Sequence, residues 1–304
     1  MYDRSGVIAE LESALETYHG RAHAVLTSSG TAALHAMYAA CLKPGDEVIA
    51  PAYTFFATVT PLLHLGVRPV LADCDENGNL DPADVRARIT PRTKAIVVTH
   101  LWGIPADMSA LGEQAEQNGL LLLEDGSHAH GARVAGRLAG TFGVAAAFSM
   151  NGPKPLSAGE GGFVLTDDET YYRVLLFSQY NKRCLNEIAP DFPLRAYART
   201  GAGLKFRIHP LVAAIALEQL GHLDDYLQGR AAVAGRMREQ LGRLPGLIAP
   251  VLPAGTTASW YGLPLTHQPE KLGGLPIERF HRALLAEGCR EVTDHHGELL
   301  RCPA

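Results

Sequence analysis

The stretch from Ser149 to Gly162, Ser-Met-Asn-Gly-Pro-Lys-Pro-Leu-Ser-Ala-Gly-Glu-Gly-Gly, holds the residue best suited to chemistry. Its single lysine, Lys154, lies between Pro153 and Pro155, whose rings fix φ and reduce the chain's freedom. The apolar runs Val144–Phe148 and Phe163–Thr166 on either side read as short buried strands. Lys154 is thereby placed on a braced loop between two strands. An amine held in this way can act as a nucleophile or move a proton. The alternative is a solvated turn lysine, which is the commoner case for a lysine chosen at random.

Three other stretches could serve such a lysine. Leu120–Leu123 reads as a buried strand that delivers Glu124 and Asp125 to its end. A carboxylate there is costly to desolvate unless it is paired; the alternative for Asp125 is a helix cap at a strand-to-loop turn. His128 and His130 follow within Gly126–Gly131. As a metal pair they lack further ligands at suitable spacing, and the alternative is two hydrogen-bonded loop histidines. Finally, Ser28-Ser-Gly-Thr-Ala-Ala33 is a small-residue turn opening a helix that reaches about Leu42. The free N–H groups and dipole of such a helix start favour phosphate, although Ser29 or Thr31 could equally be an ordinary N-cap.

The elements that must position these residues alternate along the chain. Strands are predicted at Ala24–Thr27, Gly45–Pro51, Pro69–Asp73 and Ala95–His100, besides those already given. Ser5–His19 reads as an amphipathic helix with Ser5 as its cap and Gly20 as its end. A helix runs on to Leu65, one starts at Pro82 behind Asp81, and one ends near Asn118. Apolar strands spaced by helices indicate a mainly parallel sheet covered on both faces, with sites at the carboxyl ends of its strands. Asn181–Thr200 is polar and predicts a surface loop with partial helix. A helix over Leu211–Leu223 follows, then a change of pattern near Tyr226: a helix to Leu244, a strand over Ser259–Leu265 and a helix over Pro276–Glu287. Residues 1–225 are therefore expected to form a large domain and residues 226–304 a smaller C-terminal α+β domain.

Composition narrows the partners. With 304 residues, 47% hydrophobic and 19% charged, the chain has the profile of a globular enzyme with a real core. A net charge of −5 without a basic block argues against nucleic acid, and no apolar run approaches a membrane span. Five scattered cysteines without a Cys-x-x-Cys, and no signal-peptide pattern, predict a cytoplasmic protein.

The lysine loop resembles the Schiff-base segment of the DegT/StrS family, the fold-type-I pyridoxal phosphate (PLP) aminotransferases of keto-sugars and cyclitols. Ser149-Met150, Lys154 and Gly159-Glu160-Gly161-Gly162 stand at the family's spacing; the flanking prolines are less usual. Further matches follow the family's order: the Ser-Gly-Thr-Ala-Ala turn, His100–Met108 as His-Leu-x-Gly-x-Pro-Ala-Asp-Met, and Glu124-Asp125 with His128. The matches cover roughly residues 5–225. The resemblance implies that Lys154 carries PLP as a Schiff base and moves protons, and that Asp125 pairs with the protonated ring nitrogen. It further implies that Gly30, Thr31 and Ala32 bind the phosphate, that Phe55 stacks on the ring (unless Phe56 packs inward instead), and that His128 and Ser149 contact the cofactor. Lys205, in Gly203-Leu-Lys-Phe-Arg207, stands where the family has an asparagine that reaches the phosphate of the neighbouring subunit. A lysine can serve there as a point charge. A homodimer with sites at the interface is implied, with glutamate or glutamine as amino donor and a ketone acceptor from amino-sugar, antibiotic or cell-surface glycan biosynthesis. Family members usually carry an N-terminal arm and continue beyond this endpoint, so the small domain is expected to be incomplete and the tail Val292–Ala304 has no match.

Two PLP-based readings compete. A sugar dehydratase typically has histidine in place of the lysine, so Lys154 disfavours it. A non-catalytic PLP-binding sensor would keep the fold without turnover. A dinucleotide oxidoreductase would need an early Gly-x-Gly-x-x-Gly turn, and Ser28–Ala33 is not one.

Overall fold

The computed structural model describes residues 3–293. Apart from the two-residue strands, which the sequence reading does not predict, its strands coincide with the apolar runs of the sequence. They are β1 (His23–Thr27), β2 (Glu47–Pro51), β3 (Arg68–Ala72), β4 (Thr93–Thr99), β5 (Leu121–Asp125), the short β6 (Arg133–Val134) and β7 (Arg137–Leu138), β8 (Ala145–Ser149) and β9 (Gly162–Thr166). Seven of them form one sheet in the order β1-β9-β8-β5-β4-β2-β3. From β3 to β8 every pairing is parallel, and β9 alone runs against its neighbours β8 and β1.

Both faces of the sheet are covered, which is why its strands lack a polar alternation. Val48, Val97, Leu123 and Ala147 pack with α2 (Gly30–Cys41) on one face. Their neighbours point the other way: Ile49, Ile96 and Val98 meet Val85 of α4 (Pro82–Arg88) and Leu111 of α5 (Met108–Gln117). On that same side Phe148 and Phe163 meet Leu11 and Leu15 of α1 (Val7–His19) and Ala216 of α8 (Pro210–Gly221). The remaining helices before α8 are α3 (Thr60–His64), α6 (Asp168–Ser178) and α7 (Lys182–Glu187).

Most predicted caps hold. Gly20 ends α1 in the left-handed conformation at φ 67°, and Asp81 caps α4 through the Ala83 N–H. Ser5 does not cap α1. Gly6 occupies that position, and the Ser5 hydroxyl donates to Asp3 instead. Asn181–Thr200 is a larger departure. It buries Arg183, Cys184, Ile188, Phe192 and Ala198, because Arg183 forms a two-pronged ion pair with the fully buried Glu12 of α1.

Beyond α8 come α9 (Leu223–Leu241), β10 (Leu247–Ile248), β11 (Thr256–Thr257), β12 (Thr266–His267) and α10 (Ile277–Ala286). β11 pairs with β6, so this part of the chain is tied to the turn after β5. The predicted strand over Ser259–Leu265 is irregular instead. Trp260 takes a left-handed φ of 53°, and the N–H groups of Ser259 and Gly262 bond to the carbonyls of Gly103 and Trp102 rather than to a strand. The division proposed between residues 225 and 226 falls in the first turn of α9. Of the tail, residues 294–304 lie outside the described residues. No helix among the described residues is long and apolar enough to cross a membrane.

Candidate active site

A cavity of about 400 Å³ opens at the carboxyl ends of the parallel strands, where open α/β sheets place their sites. Gly30, Thr31, Phe55, Asp125, His128, Ser149 and Lys154 all line it. Of the residues that the resemblance assigns to the cofactor, Ala32 and Lys205 are not on its wall. The Ala32 N–H is taken by the capping hydroxyl of Ser29 at 3.1 Å. Lys205 is exposed, on a segment anchored by the bond from the Ser28 N–H to the Phe206 carbonyl.

The glycines of the lysine loop are explained by close approach. A Cβ on Gly162 would lie 2.5 Å from the Ser29 carbonyl oxygen and 2.6 Å from that of Phe148, and Gly161 has φ 122°. Gly30 is pressed just as tightly onto Ser149: its Cβ would lie 2.5 Å from the Ser149 Cβ. The start of α2 and the lysine loop therefore meet with no side chain between them. A hydroxyl and the first amides of a helix face one small space, a donor set suited to phosphate.

Lys154 is partly buried, with its Nζ 4.3 Å from the centre of the Tyr261 ring. Burial pulls the amine down to about 8, against an opposing pull from Asp125. A substantial neutral fraction is thus present near physiological pH. The same effect has a cost in stability. Below about pH 8 the folded protein holds a buried ammonium; above the ordinary lysine value the amine is neutral folded or unfolded. Cofactor-free Lys154→Met protein should therefore be more stable than wild type at pH 7, by about 2–3 kcal/mol. The gain should shrink between pH 8 and pH 10.5, the interval set by the folded and ordinary values. Urea unfolding at several pH values measures it, and a gain independent of pH would refute the electrostatic origin.

The adjacent carboxylates at the end of β5 divide their work. Glu124 is fully buried and points away from the cavity; it accepts from His100 Nε2 at 3.0 Å and from the amides of Gly140, Phe142 and Gly143. Burial opposes its charge, but His100 and those amides outweigh burial and hold the carboxyl below its usual value. His100 Nδ1 accepts from the Ala106 N–H, so the His100–Met108 stretch is structural at its first residue. Asp125, 4% exposed, faces the cavity. Its Oδ1 accepts from the Ser127 N–H at 3.1 Å and its Oδ2 from the Thr58 hydroxyl at 2.8 Å.

The two histidines also separate. His128 lines the cavity, stacked on Tyr261 with ring centres 4.0 Å apart, and its Nδ1 accepts from the Trp102 N–H. His130 is buried beneath and bonds to the Ser149 carbonyl at 2.8 Å; burial lowers it to about 3. Phe55 is 49% exposed and Phe56 53%, with their rings 4.1 Å apart. Phe56 does not pack inward, because the 3-10 turn Phe56–Thr58 turns Ala57 and Thr58 inward instead. Tyr261, Thr54, Thr58 and Thr99 also line the wall without having been singled out in the sequence. Thr54 and Thr58 flank the phenylalanine pair, and buried hydroxyls in an apolar stretch were a usable signal. Tyr261 comes from a distant segment and carried none. A second cavity, of about 690 Å³, adjoins Lys154 on the side of α9, between Tyr226, Arg230 and Trp260.

Residues 3–289 match the DegT/DnrJ/EryC1/StrS aminotransferase family. The chain belongs to this family. It is 37% identical over 271 residues to the spore coat polysaccharide biosynthesis protein SpsC of Bacillus subtilis (strain 168), covering 88% of this chain and 69% of that protein. It is 38% identical over 278 residues to the L-glutamine:2-deoxy-scyllo-inosose aminotransferase of Streptomyces kanamyceticus, covering 89% of this chain and 64% of that one. Among solved structures, the Escherichia coli GDP-4-keto-6-deoxy-D-mannose-3-dehydratase with bound hydrated PLP superposes with a TM-score of 0.84 at 26% identity, over 95% of this chain and 79% of that chain. The chain thus spans about two thirds of the length of its curated relatives.

The family and its solved members indicate PLP as the cofactor. The cavity fits it: a neutralisable amine, a buried carboxylate and, where the start of α2 meets Ser149, a helix N-terminus beside a hydroxyl share one wall. The fold is that of the family, a mainly parallel seven-stranded sheet with helices on both faces.

Proposed function

We propose that this chain carries the active site of a PLP-dependent aminotransferase that moves an amino group from glutamate or glutamine to a keto-sugar or keto-cyclitol. The observation that carries this reading is the shared cavity of the Lys154 amine and the Asp125 carboxylate at the start of α2. The relative from Streptomyces kanamyceticus, named for glutamine and an inosose, supports both the donor and the acceptor class.

When bound, PLP supplies an electron sink. Lys154 holds the cofactor and, with its proton affinity lowered by burial, carries a proton on and off at Nζ near neutral pH. Asp125 keeps a proton on the ring nitrogen by its charge. Gly30, Thr31 and Ser149 take the phosphate, and Phe55 and His128 supply aromatic contact. Incubation with amide-15N-glutamine or 15N-glutamate and a panel of keto-sugars and keto-cyclitols tests the reading. Label should appear in an amino-sugar or amino-cyclitol. Likeness to the dehydratase supports a rival, which would consume a keto-sugar without gaining label; a sensor would bind PLP and turn over neither.

Lys205 is read as reaching the phosphate of the partner subunit's cofactor in a homodimer, which accords with its exposure and its absence from its own cavity wall. Losing one charged hydrogen bond costs about 1.5–3 kcal/mol, so Lys205→Ala should bind PLP roughly tenfold to a hundredfold more weakly. Mixing it with Lys154→Ala protein under subunit exchange creates one site with both Lys154 and a partner's intact Lys205. Part of the activity should return at limiting PLP. Confirmed exchange without recovery would place Lys205 in its own subunit's site or outside both.

A further inference from the structure

Asp125 ends a line of buried hydroxyls. Thr58 Oγ1 lies 2.8 Å from Asp125 Oδ2, Thr54 Oγ1 lies 2.9 Å from Thr58 Oγ1, and Thr99 Oγ1 lies 3.3 Å from Thr54 Oγ1. All four residues are buried and all four line the cavity. The direction of the line follows from chemistry. An ionised carboxylate only accepts, so the single Thr58 proton points at Asp125. Thr54 must then donate to Thr58, and Thr99 to Thr54. Each bond polarises the next toward the carboxylate. The line is also held in place. The Thr58 carbonyl accepts from the Tyr38 hydroxyl at 2.9 Å, which fixes the 3-10 turn Phe56–Thr58 from α2. With the Ser127 N–H on its other oxygen, the carboxylate is gripped on both sides.

We propose that Thr58, backed by Thr54 and Thr99, is a positioning residue that orients Asp125 and keeps its charge directed at the cofactor's ring nitrogen. The inference rests on the reading of Asp125 given above. The titratable groups facing Asp125 are Lys154 from the lysine loop, His128 from the turn after β5 and Tyr38 from α2. Thr58 and the Ser127 N–H each donate to one of its oxygens, so the hydroxyl line and the Ser127 amide hold the carboxylate in place.

The test uses holoenzyme and the pH-dependent absorbance of its bound cofactor. A protonated ring nitrogen repels a second proton at the nitrogen that links the cofactor to Lys154. Weakening the hold of Asp125 therefore moves the absorbance transition to higher pH. Asp125→Asn should move it by about one pH unit or more, and Thr58→Val by about half a unit in the same direction. Thr58→Val should also lower kcat about tenfold with little change in the KM for the amino donor. Thr58→Ser keeps the hydroxyl and should restore both. A transition that moves in Asp125→Asn but stays in place in Thr58→Val overturns the role of Thr58 alone. A transition that stays in place in both overturns the reading of Asp125, and the role of Thr58 with it. Should Thr58→Val fail to fold, Thr54→Val removes the next link; it should give a smaller upward shift, and no shift there overturns the proposal.

Discussion

Lys154→Ala protein is expected to lose transamination by a factor of about 10⁴ or more, and borohydride treatment of the loaded wild type should place the pyridoxyl label on Lys154. The expectation follows from two losses at once. The amine that holds the cofactor is removed, and so is the group that moves the proton, which alone contributes about 10²–10⁴-fold. Among the described residues of the same chain, no other lysine lines the cavity to replace it. Added small amines can substitute for a missing base but not for its attachment, so they should restore only part of the rate. The variant should still bind PLP, because Gly30, Thr31, Ser149 and Asp125 are untouched, and bind it reversibly. Peptide mapping decides the assignment: label on any other lysine would refute it. The braced geometry supports the choice of residue, since the backbone N–H of Lys154 bonds to the Asn151 carbonyl and Gly152 bonds to Gly159, closing the loop on itself.

Asp125→Asn should keep cofactor binding and lose most turnover, with kcat down by about 10²–10³-fold. The amide is nearly the same shape, so the Thr58 and Ser127 contacts leave the backbone in place. What disappears is the negative charge that keeps the ring nitrogen protonated, and with it the strength of the electron sink. The buried site amplifies the loss, because water cannot screen or replace the charge there. Glu124→Gln offers the contrast. Glu124 points into the protein and accepts four hydrogen bonds, three of them from backbone amides. Its replacement should lower the unfolding midpoint rather than the chemistry of folded protein. Near-normal steady-state transamination by Asp125→Asn at saturating PLP would reduce Asp125 to a turn residue. Thermal unfolding of both variants separates the two roles.

The lysine loop was legible from sequence because its signals are local. Prolines fix φ, glycines mark positive φ or close approach, and apolar runs mark strands, so Lys154 could be placed between β8 and β9 without coordinates. The same holds for Gly30 and Thr31 at a helix start and for Asp125 at the end of a leucine strand. The parallel sheet also followed from local patterns, because strands buried on both faces show no alternation of apolar and polar residues. Four things required the tertiary structure. Asp125 and Glu124 are adjacent in sequence and equally buried; only the alternation of side chains along β5 sends one to the cavity and the other to His100. Asn181–Thr200 looked like a surface loop because its charges suggested solvent, yet Arg183 is drawn inward by Glu12, 171 residues away. Ser259–Leu265 has the composition of a strand, but the amides of Ser259 and Gly262 are taken by the turn at Trp102 and Gly103. Tyr261 and the joining of Thr58 to Asp125 and of Thr54 to Thr99 were likewise invisible, since contacts between segments far apart in the chain leave no period or spacing in either one. The sequence determined which residues could do the chemistry; the packing of distant segments decided which of them meet, and what holds them.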